Sequence, residues 1–235
     1  MKLKLLPFLI SLLFVDDGFG QSKSLSVPVY KSGDTTGYYG IQRQRIVQMK
    51  MRDPLVSKDS LLLIFSTDTR AVEVFTNDFR TFYGFQYVFT TRYLSEEKRR
   101  RRRKGDPKLL FNVTKLDTIQ AQVVYSVFKN LSILSIPDSR DIPGWPIGAD
   151  GITYRVEHST PNSYAFKTYW TPSVARDQLK EAAAIDDLSK KLDQLLGMHD
   201  SFIALIDKLP AGTYHAGGIG LITTHKKRRG HKSRM

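Results

Sequence analysis

Phe79-Arg80-Thr81-Phe82-Tyr83-Gly84-Phe85-Gln86-Tyr87-Val88-Phe89-Thr90-Thr91-Arg92-Tyr93 is the stretch that decides the fold. Phe79, Tyr83, Phe85, Tyr87, Phe89 and Tyr93 share the odd positions with Thr81 and Thr91. Successive side chains of a strand point to opposite faces, so the six aromatics line one side of a sheet. Aromatic rings contribute heavily to cores, so this face is expected under helices rather than open as a stacking platform for sugars or bases. Arg80, Gln86, Thr90 and Arg92 lie on the other face, which suits solvent.

On the N-terminal side, Leu61–Phe65 is a short apolar run bounded by Asp59 and Asp68, as a buried strand would be. Ala71–Phe75 alternates and Asn77-Asp78 marks a turn. Ile41–Met51 is mixed and is grouped with the strands, and 21–40, rich in Ser, Gly and Thr, reads as an extended lead-in.

On the C-terminal side, a loop over 95–107 leads to a strand at Leu109–Leu116, together a hairpin with a basic finger. Asp117 and Gln120 form a capping box ahead of Ile119, Val123, Val127 and Leu131, predicting a helix over 118–130. The β-branched valines leave a strand open there. After a loop at 137–151, Ile152–His158 and Tyr164–Trp170 read as a hairpin. Pairing Tyr154 with Phe166 and Val156 with Tyr164 puts its apolar residues on one face. Thr171 with Pro172 opens a helix that runs to Leu196 and stops at Gly197; a shorter one covers Phe202–Leu209. The expected fold is α+β: a mostly antiparallel sheet of six or more strands with two or three helices on one face. Residues 41–224 form its single domain.

The chain has 235 residues, a net charge of +13 and no cysteine. Composition is that of a globular protein, and zero cysteine removes disulfides, thiolate metal sites and thiol nucleophiles. The charge is concentrated. Lys98, Arg99, Arg100, Arg101, Arg102, Arg103 and Lys104 form one run, and Lys226, Lys227, Arg228, Arg229, Lys232 and Arg234 crowd the tail at 225–235. Together they equal the whole +13, so the remaining chain is neutral.

Met1–Lys4 is a short basic start, Leu5–Val15 is apolar, and Gly18 and Gly20 place small residues before Gln21. At about 1.5 Å per residue the apolar run covers roughly half of the ~30 Å bilayer core. The segment 1–20 therefore reads as a secretory signal peptide, with a periplasmic, secreted or peripherally envelope-associated product that is not a lipoprotein. For an exported chain, Arg99–Arg103 and Lys104 point to a polyanion: lipid phosphate, acidic polysaccharide or extracellular DNA. A solvated loop without a partner is the simpler alternative, because like charges in a row repel.

No catalytic constellation is visible. His158, His199, His215, His225 and His231 lack metal-ligand spacing, and Glu157 and His158 fall on opposite faces of one strand. Gly217-Gly218-Ile219-Gly220 does not match a dinucleotide fingerprint and suits close packing or a bulge. Trp145, Tyr154, Tyr169, Trp170 and Tyr214 are expected to be buried. No metal or cofactor is expected.

The last third combines Trp145, Asp150-Gly151-Ile152-Thr153-Tyr154 with Glu157, Tyr169-Trp170-Thr171-Pro172 and Leu209-Pro210-Ala211-Gly212-Thr213-Tyr214. This pattern resembles a group of uncharacterised exported bacterial proteins. The resemblance implies export and an α+β module, and no activity. The expected function is a non-enzymatic binding or structural module of the envelope. The alternative is a hydrolase of envelope carbohydrate or another polymer, with two carboxylates roughly 5–10 Å apart in a cleft.

If the basic run is an appendage, deleting 98–104 leaves the melting temperature nearly unchanged. Retention on heparin at low salt should fall in the same variant, and wild-type retention should weaken steeply with salt, since each phosphate-type contact contributes a slope of about −0.9. Unaltered retention would exclude the run as the anion contact.

Overall fold

The computed structural model describes residues 23–29, 32–33, 35–94, 108–148 and 150–225. The expected signal peptide, the arginine run at 98–104 and the basic tail from 226 lie outside the described residues. The strands are β1 (Ser24–Ser26), β2 (Leu61–Ser66), β3 (Arg70–Thr76), β4 (Tyr83–Thr91), β5 (Leu109–Leu116), β6 (Thr153–Ser159) and β7 (Ser163–Trp170), followed by β8 (Gly212–Gly217) and β9 (Gly220–Thr224). The helices are α1 (Gly37–Met49), α2 (Thr118–Asn130), α3 (Lys180–Leu196) and α4 (Met198–Lys208). Seven strands form one sheet in the order β1-β7-β6-β2-β3-β4-β5, and β8-β9 is a separate hairpin. The α+β class holds, but the sheet is mixed: β1 runs parallel to β7, and the other neighbours are antiparallel.

The helices do not share one face. Leu63, Phe65, Val72, Val74 and Val156 pack with Val124 and Phe128 of α2 and Ile185, Leu188 and Leu192 of α3. Farther along that face, Val88 meets Phe202, Leu205 and Ile206 of α4 and Tyr214 of β8. The alternate residues Leu62, Ile64, Ala71, Phe75, Tyr87 and Phe89 point the other way and pack under Ile46 and Met49 of α1. The sheet thus lies between helices on both sides.

This corrects the expected lead-in and the strand grouping of 41–51. The former carries β1, and Ile41–Met49 belongs to α1, which begins at Gly37. The buried face of α1 is Gln42, Ile46 and Met49. One of those three positions is polar, which hides the helical apolar period.

The aromatic alternation is a strand only from Tyr83. The Asp78 carboxylate accepts the N–H groups of Arg80 (2.9 Å) and Thr81 (2.8 Å), and Phe79 has φ +55°. This turn occupies the first residues of the stretch. Tyr87 and Phe89 are buried as expected and Phe85 is half-buried, while Phe79, Tyr83 and Tyr93, beyond the reach of α1, are exposed. The polar face is solvated only at its two ends, where Arg80 and Arg92 are exposed. Gln86 and Thr90 are buried, because α4 and β8 cover them, and the Thr90 hydroxyl donates to the His215 carbonyl at 2.6 Å.

The capping box is formed, and the helix at 118–130 starts and ends where the spacing puts it. The β6–β7 hairpin exists, but in another register: Tyr154 pairs with Tyr169 and Val156 with Lys167. With both faces buried, a one-faced apolar rule cannot select the register. The helix expected from Thr171 begins later. The Thr171 hydroxyl accepts the Ile152 N–H at 3.1 Å, so a 3₁₀ turn follows and α3 starts at Lys180. Its stop at Gly197, with φ +57°, is as expected.

Two substitutions test this packing. Asp117→Ala should cost about 1 kcal/mol by loss of the cap, and Leu188→Ala, at a fully buried position, about 2–5 kcal/mol. Urea denaturation with an unchanged slope measures both.

Candidate functional site

One end of the sheet gathers the ends of five strands: β2 finishes there, β3 begins, β4 finishes, and β5 and β6 begin. The β8–β9 turn folds over this end, with Gly217 and Gly218 at positive φ and a register shift between His215 and Gly217. Gly218 approaches so closely that an added Cβ would lie 2.8 Å from the Gly151 carbonyl oxygen. The expectation of close packing and a bulge at these glycines is met. The N-terminal half of α1 completes a cleft of about 340 Å³. Tyr38, Ile41 and Arg45 come from α1, Asp68 from the β2–β3 turn, Thr153 and Arg155 from β6, and Gly218 and Ile219 from the β8–β9 turn.

The cleft is electrically unbalanced. Arg155 donates from Nη2 to Asp68 Oδ1 (3.0 Å) and from Nη1 to the Thr153 carbonyl (3.0 Å). Its side chain is only 2% exposed. Its Nε has no hydrogen-bond partner among the described residues, and leaving such a buried donor unpaired costs about 1–3 kcal/mol. Arg45 Nη2 lies 3.8 Å from the same Asp68 oxygen, while Nη1 donates to the Thr67 carbonyl at 2.9 Å. The second Asp68 oxygen accepts the Gly218 N–H at 3.1 Å. Burial, and then the charge of Arg155, push the Arg45 guanidinium down to about 9, still protonated at neutral pH. Two guanidinium groups therefore share one carboxylate. Aromatic faces support both: the Arg45 guanidinium carbon is 4.9 Å from the Phe89 ring centre, and that of Arg155 is 5.6 Å from Tyr38.

Deeper under α1 lie two buried carboxyl groups. Glu157 accepts from Gln42 Nε2 (2.7 Å) and the Tyr164 hydroxyl (2.7 Å), and Gln42 in turn accepts from Ser66 (3.1 Å). Glu73 accepts from the Arg52 N–H (3.2 Å) and the Tyr87 hydroxyl (3.2 Å). Glu73 and Glu157 flank Ile64 on neighbouring strands, about 10 Å apart by two strand spacings. Burial raises both pKa values, that of Glu73 to about 7. Both are 1% exposed or less, so neither opens to a cleft.

Of the residues singled out in the sequence, Gly151, His215, Gly217 and Gly218 reach the cleft. Glu157 faces α1, and neighbouring His158 projects from the opposite face of β6, where burial lowers its pKa. Trp145, Tyr169 and Tyr214 are buried as expected, and Tyr154 and Trp170 are half-buried. Arg99–Arg103 and Lys104 lie outside the described residues. Arg45, Asp68 and Arg155 were not singled out by the sequence. Alternation of Thr153, Arg155 and Glu157 between Tyr154 and Val156 was the available signal. A charged residue inside a strand buried on both faces needs a partner.

Compared with protein families, curated proteins and solved structures, the chain has no match. Among the described residues no helix is long and apolar enough to cross a membrane.

The raised Glu73 carboxyl predicts a pH dependence. Its folded pKa of about 7 exceeds its ordinary value of 4.5, so the folded chain binds that proton more tightly. Its contribution is full below pH 4.5 and is lost as pH rises through 7, an effect of order 3 kcal/mol. Burial of Glu157 acts in the same direction. Glu73→Gln should flatten the fall in stability between pH 5 and 8, read by urea denaturation at each pH. An unaltered pH profile would exclude Glu73 as its source.

Proposed function

We propose that this chain is an exported, non-enzymatic binding module of the envelope, and that its ligand occupies the cleft at the open end of the sheet. The observation that carries the reading is the cleft itself. Six segments spread along the sequence converge on a concavity holding a buried cation with a donor unsatisfied among the described residues. Buried polar groups are nearly always satisfied, and of the four unsatisfied side-chain atoms among the described residues the Arg155 Nε is the one that belongs to a residue lining the cleft. The burial of Glu73 and Glu157 weighs for binding over polymer hydrolysis, because a glycosidic bond must reach both carboxylates. Export rests on Met1–Gly20, and the resemblance of the last third points the same way.

The polyanion reading of Arg99–Arg103 and Lys104 joins this proposal. The run falls in sequence between Thr91 and Leu109, described residues of β4 and β5 that line the cleft, and a run of cations raises the concentration of anions around the protein.

The mature chain recovered from the periplasm or medium of an expressing bacterium should begin at Gln21. An intact Met1 in that fraction would remove the signal-peptide reading. For binding, the ¹⁵N-labelled mature protein is titrated with mixtures of small acids, amines and sugars. Shifts confined to Tyr38, Thr90, Arg155 and Gly218 are the expected result. A blank from every mixture would overturn the cleft as a ligand site, and turnover of an envelope polysaccharide would revive the hydrolase reading.

A further inference from the structure

The cleft's chemistry selects among ligands, an inference that rests on the binding reading above. We infer that the site takes a small organic carboxylate, its two oxygens held by the Arg45–Arg155 pair and its apolar body lying against Ile41 and Ile219.

Charge is the first reason. Arg45 and Arg155 face the single carboxylate of Asp68. Asp68 is already committed, one oxygen to Arg155 at 3.0 Å and the other to the Gly218 N–H at 3.1 Å. Arg45 meets Asp68 Oδ1 only at 3.8 Å and otherwise donates to the uncharged carbonyls of Thr67 and Asp68. Glu157, two residues from Arg155 on the same face, is held by Gln42 and Tyr164 and makes no ion pair with either arginine. The pair is therefore short of one negative charge. A monoanion balances it, whereas a phosphate dianion would carry one charge too many.

Donor geometry is the second reason. Arg155 makes two hydrogen bonds, and its Nε–H has no partner among the described residues. A guanidinium edge offers parallel N–H groups that match the spacing of carboxylate oxygens. Closing on a carboxylate would satisfy the orphaned donor and relieve the repulsion between the two arginines.

Shape is the third. At about 340 Å³ the cleft is at the small end of ligand pockets. Ile41 and Ile219, both exposed, give it apolar walls, so the ligand is more than a bare ion. The polar rim contributed by Thr91 and His215 leaves room for a substituent such as a hydroxyl.

Sodium benzoate is the probe, against neutral benzamide and inorganic phosphate at equal ionic strength. The readout is the Nε–H resonances of Arg45 and Arg155 in the ¹⁵N-labelled mature chain, with thermal melting alongside. Benzoate should move both resonances saturably, benzamide should bind at least tenfold more weakly, and Arg45→Gln should weaken benzoate at least tenfold. If Arg45→Gln melts early, the wild-type Arg155 resonance still decides. Equal binding of benzoate and benzamide would overturn the carboxylate assignment while leaving the cleft a binding site. Tighter binding of phosphate than of benzoate would overturn it in favour of another anion class. Resonances that no probe moves would overturn it as well. A cleft-directed hit in the wider ligand screen would then spare the binding reading, and a blank screen would remove both.

Discussion

The placement of α1 depends on one buried hydrogen bond. Gln42 donates to Glu157 at 2.7 Å and accepts from Ser66, so a polar contact pins the helix across β2 and β6. An apolar helix face can slide on an apolar sheet with little penalty, since dispersion is non-directional. A buried amide–carboxyl contact cannot slide without stranding both groups. Three residues farther along the helix Arg45 reaches Asp68, and one turn back Tyr38 lies over Arg155. The cleft inherits its geometry from that anchor. Ile46 and Met49, on the same helix, supply the apolar half of the contact.

Lys23 secures the other edge. Its ammonium donates to the carbonyls of Pro54 and Ser57 and to the Ser159 hydroxyl, at 2.9, 2.6 and 2.6 Å. Burial lowers its pKa, with Asp59 and Asp53 opposing. The sheet's parallel edge strand follows directly, so this cation ties the lead-in to the turn between α1 and β2. Both the anchor and this tie are polar contacts between segments distant in sequence, and hydrophobic periodicity carries no information about either.

That explains which parts of the architecture could be read in advance. The signal was strong where structure follows from local chemistry: the capping box at Asp117 and Gln120, the apolar run of β2, the stop at Gly197. Reading failed where a second layer covered polar residues. Gln86 and Thr90 look solvent-facing until α4 and β8 cover them, and α1 hides its period behind Gln42. The β6–β7 register followed the same logic, because one apolar face was assumed and two are buried. Of the candidate site, only the glycine bulge was legible, since backbone permissiveness shows in residue type whereas the meeting of Arg45, Asp68 and Arg155 does not.

Thr91 and Leu109 face each other across one rung of the β4–β5 ladder. The sheet therefore already holds both ends of the connection that joins them. Closure entropy grows only logarithmically with length, about 0.6 kcal/mol per doubling. Insertions, deletions or charge reversal within it would tax the fold very little. A change in that connection therefore leaves Thr91 and Leu109, and with them one wall of the cleft, in place.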